Sequence, residues 1–159
     1  MIYNRKDIYQ GKSFEHFGEY SEEEALLFKK YIKEGDSVFD IGANIGSFTT
    51  LFSRLSGKNG FVIAFEPERH NFYVLCGNMA INNLSNVHCF QYAIGENSGT
   101  INIPELNHEE IQNHGGIELN PNAKVETGYT VNLTTIDAIS IPSRISFIKI
   151  DVEGMELSV

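Results

Sequence analysis

Asp40-Ile41-Gly42-Ala43-Asn44-Ile45-Gly46 sits between two differently patterned segments. Before it, Ser37 to Ile41 reads as a short buried strand. After it, Phe48, Leu51, Phe52 and Leu55 recur at i, i+3, i+4 and i+7, the spacing of one helix face, and Gly57 supplies the stop. Glycines at 42 and 46 let the backbone turn sharply and come close to a ligand. The helix opening near Gly46 offers unpaired amides and the positive end of its dipole. In an open α/β sheet such a junction lies at the carboxyl ends of the strands, where ligands bind.

Working outward, the pattern repeats. Phe61 to Phe65 reads as a second strand and leads into Glu66-Pro67, with Pro67 suited to the first position of another helix. Phe72, Leu75, Cys76 and Met79 form the buried face of that helix despite Gly77, and Val87 to Ile94 reads as a third strand. Upstream, Ser21-Glu22-Glu23-Glu24 has capping-box spacing and predicts a helix carrying Leu27, Phe28, Tyr31 and Ile32 on one side, ended at Gly35. Residues 1–20 read as an irregular arm. Downstream, Gly95 to Gly99 is a turn, and Thr100 to Ile103 is expected to pair with Tyr129 to Leu133 as an antiparallel insertion. The polar stretch between them, Glu105 to Gly128, is too long for a simple connection and reads as a functional or disordered loop. A helical turn near Thr135 to Ile139 precedes a fourth strand, Ile145 to Ile150, which ends at Asp151. Strands alternating with helices predict βαβ units and a parallel sheet. The expected organisation is an arm (1–20) and one domain (21–159) with an insertion at about 99–133.

The spacing of the turn bears on its ligand. A dinucleotide fingerprint is G-x-G-x-x-G, whose second glycine admits a pyrophosphate. Here the pattern is G-x-N-x-G, preceded two residues earlier by Asp40. A carboxylate there would repel a pyrophosphate, but could accept from the ammonium of an amino-acid moiety, directly or through water. Glu66, at the end of the second strand and 20 residues past Gly46, can accept from both hydroxyls of an unmodified ribose. Together the two acids favour S-adenosyl-L-methionine over a nicotinamide dinucleotide.

Composition narrows the partners. The 159 residues are 42% hydrophobic and 21% charged, a globular balance with room for a core. A formal charge of −9 argues against nucleic acid as the main partner, because phosphate neutralisation needs clustered Lys and Arg. Runs such as Ala25-Leu26-Leu27-Phe28 are too short to span a bilayer, and Met1 to Lys6 lacks a secretory pattern. A cytoplasmic location follows as the expectation. Cys76 and Cys89 belong to no ligand cluster and read as buried thiols. Asp151 and Glu153 could serve a divalent ion, but no fuller ligand set is visible, and no metal is expected. His16, His70, His88 and His108 are scattered without ligand spacing.

The chain resembles the FkbM family of S-adenosylmethionine-dependent methyltransferases. The resemblance rests on Gly35-Asp36-Ser37-Val38-Phe39-Asp40-Ile41-Gly42-Ala43-Asn44-Ile45-Gly46-Ser47-Phe48-Thr49 and Ala64-Phe65-Glu66-Pro67. It continues in Tyr92-Ala93-Ile94-Gly95, Leu133-Thr134-Thr135-Ile136-Asp137 and Ile148-Lys149-Ile150-Asp151-Val152-Glu153-Gly154-Met155-Glu156. It implies a Rossmann-like class I methyltransferase sheet with helices on both faces, and O-methylation of a small-molecule or glycan hydroxyl: sugar, lipid or natural product. It also implies that Gly42, Asn44 and Gly46 line the methionine side of the cofactor and Glu66 the ribose. Tyr92 and Ala93 would lie near the adenine, and Asp151 beside the transferable methyl.

Methylation of an alcohol also needs a proton acceptor. Asp151 is a candidate base, with cofactor orientation or helix capping as its other reading. Glu153 is another candidate base, or an acidic residue favoured in a helix's first turn. His114, in Asn113-His114-Gly115-Gly116, is a further candidate because it falls in the insertion. Lys149 shares a sheet face with Asp151 and could pair with it or touch substrate. The resemblance implies seven strands where only four core strands are found. The sequence therefore reads as a truncated chain, short of part of the substrate wall, or as one that completes its sheet with another copy. Two rival functions stay open: a non-catalytic S-adenosylmethionine-binding module, and an NAD-linked oxidoreductase of related topology.

Overall fold

Twelve elements follow one another in the computed structural model, which describes residues 1–116, 127–141, 144–156 and 159. In order they are α1 (Gln10–Phe17), α2 (Glu22–Tyr31), β1 (Ser37–Ile41), α3 (Ser47–Ser56), β2 (Phe61–Phe65) and α4 (Arg69–Ile81). Then come β3 (Val87–Phe90), β4 (Tyr92–Ile94), β5 (Gly99–Pro104), β6 (Gly128–Thr134), a 3₁₀ turn (Ile136–Ala138) and β7 (Phe147–Ile150). The main sheet has the order β3-β2-β1-β7, all parallel. A second sheet has the order β4-β6-β5, with β5 and β6 antiparallel.

Strand alternation sends side chains to two distinct cores. Val38 and Val62 face Phe28, Ile32, Phe48 and Phe52 of the α2–α3 side. Ala64, on the same face, meets Leu75 and Met79 of α4. Phe39, Ile41, Ile63 and Phe65 point the other way, into a cluster with Ile94, Ile101, Ile103 and Val131. Thus α2, α3 and α4 cover one face. Among the described residues the opposite face is covered by the small sheet, where the resemblance implied helices.

Several local expectations are corrected. Residues 1–20 are not irregular throughout, since 10–17 form α1. Asp7 Oδ1 starts that helix by accepting from the amides of Tyr9 and Gly11, and Tyr3 stacks on Phe14. Ser21 adopts φ 49° and makes no side-chain cap, so the capping box does not form. Phe28 and Ile32 are buried, but Leu27 and Tyr31 are exposed, because only one edge of α2 reaches α3. The α4 helix begins at Arg69, capped by the Glu68 carboxylate on the Asn71 amide at 2.7 Å, and Pro67 lies before it. The expected third strand divides at Gln91, where the chain leaves the main sheet for the second. Both cysteines are free and only half-buried.

The predicted pairing of the insertion holds, with Thr100↔Asn132 and Ile103↔Tyr129 in register. Its residues 117–126, and residues 157–158 where the sequence predicts entry into a helix, lie outside the described residues. β7 lies at the sheet edge, with Ile148 and Ile150 exposed. Among the described residues, no helix is long and apolar enough to cross a membrane.

Candidate functional site

The turn after β1 is pinned to β2. The amides of Gly42 and Ala43 both donate to the Phe65 carbonyl, at 3.0 and 2.9 Å. Gly42 has φ 77°, and a Cβ there would stand 1.8 Å from the Asp151 carbonyl oxygen, so the position admits only glycine. Asn44 takes the left-handed conformation (φ 52°) that asparagine tolerates. That conformation aims its amide at Glu66 Oε2, 2.7 Å away. Gly46 starts α3 with φ 88°, against Leu75 and Met79.

Two buried carboxylates do different work. Glu66 accepts from the amides of Asn44 and Glu68, the latter at 2.9 Å on Oε1. Burial pushes its carboxyl up to about 7, against the lowering effect of those two amides. Two amides leave further lone pairs on a carboxylate that has about four acceptor positions. Asp40 is fully buried beneath the turn and does not line the cleft. Its Oδ2 accepts from the Thr49 hydroxyl at 2.6 Å, and its Oδ1 lies 3.3 Å from Lys149 Nζ. The ammonium also lies 3.4 Å from Asp151 Oδ2 and donates to the Gly42 carbonyl. Burial opposes the charge on Lys149, but Asp40 and Asp151 outweigh it and raise its pKa.

Above this base opens a cleft of about 350 Å³, within the range of small-molecule sites. Among the described residues, five carboxylates line it (Asp7, Glu66, Glu68, Asp151 and Glu153) and no Lys or Arg does. Of the residues singled out from the sequence, Gly42, Asn44, Glu66, Asp151, Glu153 and His114 meet here. Gly46 stands below as the cap of α3. Tyr92 and Ala93 do not line the cleft: Ala93 is in the core, and Tyr92 stacks on Phe90.

The N-terminal arm supplies a wall that the sequence reading did not foresee. Asp7, Tyr9, Gln10 and Tyr20 line the cleft, and Asp7 Oδ2 accepts from the His114 amide at 2.9 Å. Asp7 and Gln112 form a parallel bridge, and Lys6 Nζ donates to the Glu109 carbonyl at 2.6 Å. His114 is 3% exposed, and neither ring nitrogen has a hydrogen-bond partner among the described residues. Asn71 of α4 donates to the His114 carbonyl at 3.0 Å. The signal available in the sequence was slight: an Asp spaced to cap the run at 9–17, and Glu68 three residues before Asn71. His70 and His108, scattered in the sequence, stand together beside Glu68.

A cleft lined by five carboxylates, one of them at its base, suits a ligand that brings positive charge and hydroxyl donors. It suits a pyrophosphate poorly.

Residues 40–159 match the family described as the methyltransferase FkbM domain. No curated protein matches the chain. Among solved structures, a methyltransferase FkbM from Methylobacillus flagellatus KT is 20% identical with a TM-score of 0.52, over 84% of this chain and 34% of that one. A SAM-dependent methyltransferase from Aquifex aeolicus is 20% identical (TM-score 0.41), over 52% of this chain and 50% of that one. A SAM-dependent O-methyltransferase from Thermotoga maritima is 15% identical (TM-score 0.44), over 61% and 51%. The chain thus spans between about a third and a half of each of these proteins.

Proposed function

The chain belongs to the FkbM methyltransferase family, and from that premise we propose that it O-methylates a hydroxyl of a sugar, lipid or natural-product-like substrate. The sheet is Rossmann-like, and the cofactor is S-adenosyl-L-methionine. The observation that carries the reading is the five-carboxylate cleft with Glu66 at its base. A ligand bearing a sulfonium, an ammonium and a vicinal diol matches those acceptors group by group.

In this reading Glu66 keeps its two amide donors and takes the ribose hydroxyls on its remaining lone pairs. Gly42 and Asn44 present backbone to the methionine side, and a side chain at 42 would collide with the Asp151 carbonyl just past β7. Asp40 acts from below, holding Thr49 and Lys149 so that the turn keeps its shape. When bound, the cofactor supplies a methyl already activated on sulfur, so the protein's share is binding, alignment and proton removal. His114, buried at the cleft wall, receives the proton that the substrate hydroxyl loses. Asp151, fixed at the end of β7 through Lys149, orients the reacting groups. Free thiols at Cys76 and Cys89 accord with a reducing, cytoplasmic compartment.

The test is calorimetric. The parent chain should bind S-adenosylmethionine and S-adenosylhomocysteine but not NADH, and folded Glu66→Ala and Asp40→Ala variants should bind more weakly. Equal affinity in both variants would refute the assignment. Binding without transfer across a panel of hydroxyl-rich acceptors would favour a non-catalytic cofactor-binding module.

A further inference from the structure

On the Glu68 wall of the cleft, two imidazoles and a carboxylate converge from separate parts of the chain. His70 lies in the first turn of α4 and His108 in the loop after β5. Their rings stack with centroids 3.9 Å apart and planes 22° apart. One donor atom from each of Glu68, His70 and His108 lies within 4.8 Å of the others. Glu68 is itself 4% exposed, and its Oε1 stands 3.5 Å from His108 Nε2.

Nδ1 of His70 and both ring nitrogens of His108 are buried with no hydrogen-bond partner among the described residues. Native proteins rarely leave such atoms unsatisfied. Protonating both rings would set two cations face to face. With both neutral, His108 has at best the long 3.5 Å contact from Nε2 to Glu68, and the other nitrogens, Nδ1 of each ring, stay unmet. A divalent cation resolves this, because it takes a lone pair from each ring and balances the acid.

We propose that Glu68, His70 and His108 bind a zinc-class divalent cation. Two imidazole nitrogens and one carboxylate oxygen are a donor set for zinc and its first-row neighbours, whereas calcium and magnesium prefer all-oxygen sites. Three protein ligands leave a fourth, tetrahedral position for water. Metal–ligand bonds of about 2.0–2.2 Å lie in the plane of each imidazole, so the stacked rings would turn to aim one nitrogen each at a shared ion, a change that the loop position of His108 permits. Glu68 Oε2 stays on the Asn71 amide, and Oε1, which also accepts from the Tyr129 hydroxyl at 3.2 Å, keeps a lone pair for the ion, so the α4 cap is retained. The His114 ring packs on His108 with centroids 4.9 Å apart, so an ion here braces the loop that carries His114. The proposal does not rest on the methyltransferase reading.

The test uses the full chain, free of any affinity tag, dialysed against Zn²⁺ and titrated with Co²⁺. One Zn²⁺ per chain should be retained, and Co²⁺ should give the visible spectrum of a tetrahedral nitrogen/oxygen site. His70→Asn and His108→Gln should weaken binding by more than the roughly 10–100-fold typical of losing an outer-shell partner. The exposed His16→Ala should bind like the parent. No retained Zn²⁺, an octahedral Co²⁺ spectrum, or binding unaffected by both substitutions would overturn the site. The cobalt spectrum is read on the parent chain and decides the matter even if the variants fail to fold.

Discussion

Lys149 donates from Nζ to the carbonyl oxygen of Gly42 at 2.9 Å, tying the edge strand β7 to the turn after β1. Asp40 and Asp151 stand as ion-pair partners on other sides of the same ammonium, at 3.3 and 3.4 Å. The register Asp40↔Lys149 makes this possible, because the two side chains leave neighbouring strands from the same face.

Removing the cation should therefore cost more than its place on an edge strand suggests. Lys149→Met leaves Asp40 buried without its counter-charge, and unfolding in urea should show a loss of about 3–5 kcal/mol. Adding Asp40→Asn to that variant should restore part of the loss. A double variant less stable than the sum of its singles would contradict the pairing.

Gly42→Ala should be more damaging than an ordinary loop substitution. The new methyl meets the Asp151 carbonyl, a backbone atom, in a conformation disfavoured for alanine. The expected destabilisation exceeds about 3 kcal/mol. An unchanged Tm would show that β7 does not close on the turn as described.

Glu66 gives the protein two opposed pH dependences. Its carboxyl, raised to about 7 by burial, holds a proton that the unfolded chain releases near its ordinary 4.5. Stability of the ligand-free protein should thus fall as pH rises from about 4.5 to about 7. A diol donates to the ionised form, so affinity for S-adenosylhomocysteine should rise with pH, by up to about tenfold per unit below 7. Glu68 and Lys149, which face the same carboxyl, modulate the midpoint. Glu66→Gln should flatten the affinity profile, and a persistent slope in that variant would assign the titration to another group.

His114 and Asp151 separate by kinetics. His114→Gln should lower kcat by about 10²–10⁴-fold with little change in cofactor affinity, the signature of a lost base. Asp151→Asn should alter cofactor affinity as well, since it releases one partner of Lys149. A His114 variant with parental kcat would remove that residue from the chemistry.

The elements nearest the turn were readable because pattern and punctuation agree there. In Ser37–Ile41, Gly42, Gly46 and the 48–55 helix face, strand period, glycine placement and helix period all change at one point. Glu66, Asp151 and His114, which the structure brings to one cleft, stood out in the sequence because each follows an element end or falls in the insertion. The arm was not readable, since α1 owes its start to Asp7, and residues 4–8 owe their setting to contacts with residues 108–114. Ser21 misled because its capping spacing is real while its backbone adopts another conformation. The meeting of His70 with His108 depends on how the loop after β5 folds back, which spacing does not encode.

The wall built by Asp7, Gln112 and His114 joins positions more than a hundred residues apart. Closing so large a loop is entropically slow, so this seam should assemble after the βαβ units and open before them. Its amides, including Ile8 on the Gln112 carbonyl and His114 on Asp7, should exchange hydrogen together and faster than those of β1 and β2. Ligand capture in the cleft would then slow exchange in both distant segments at once.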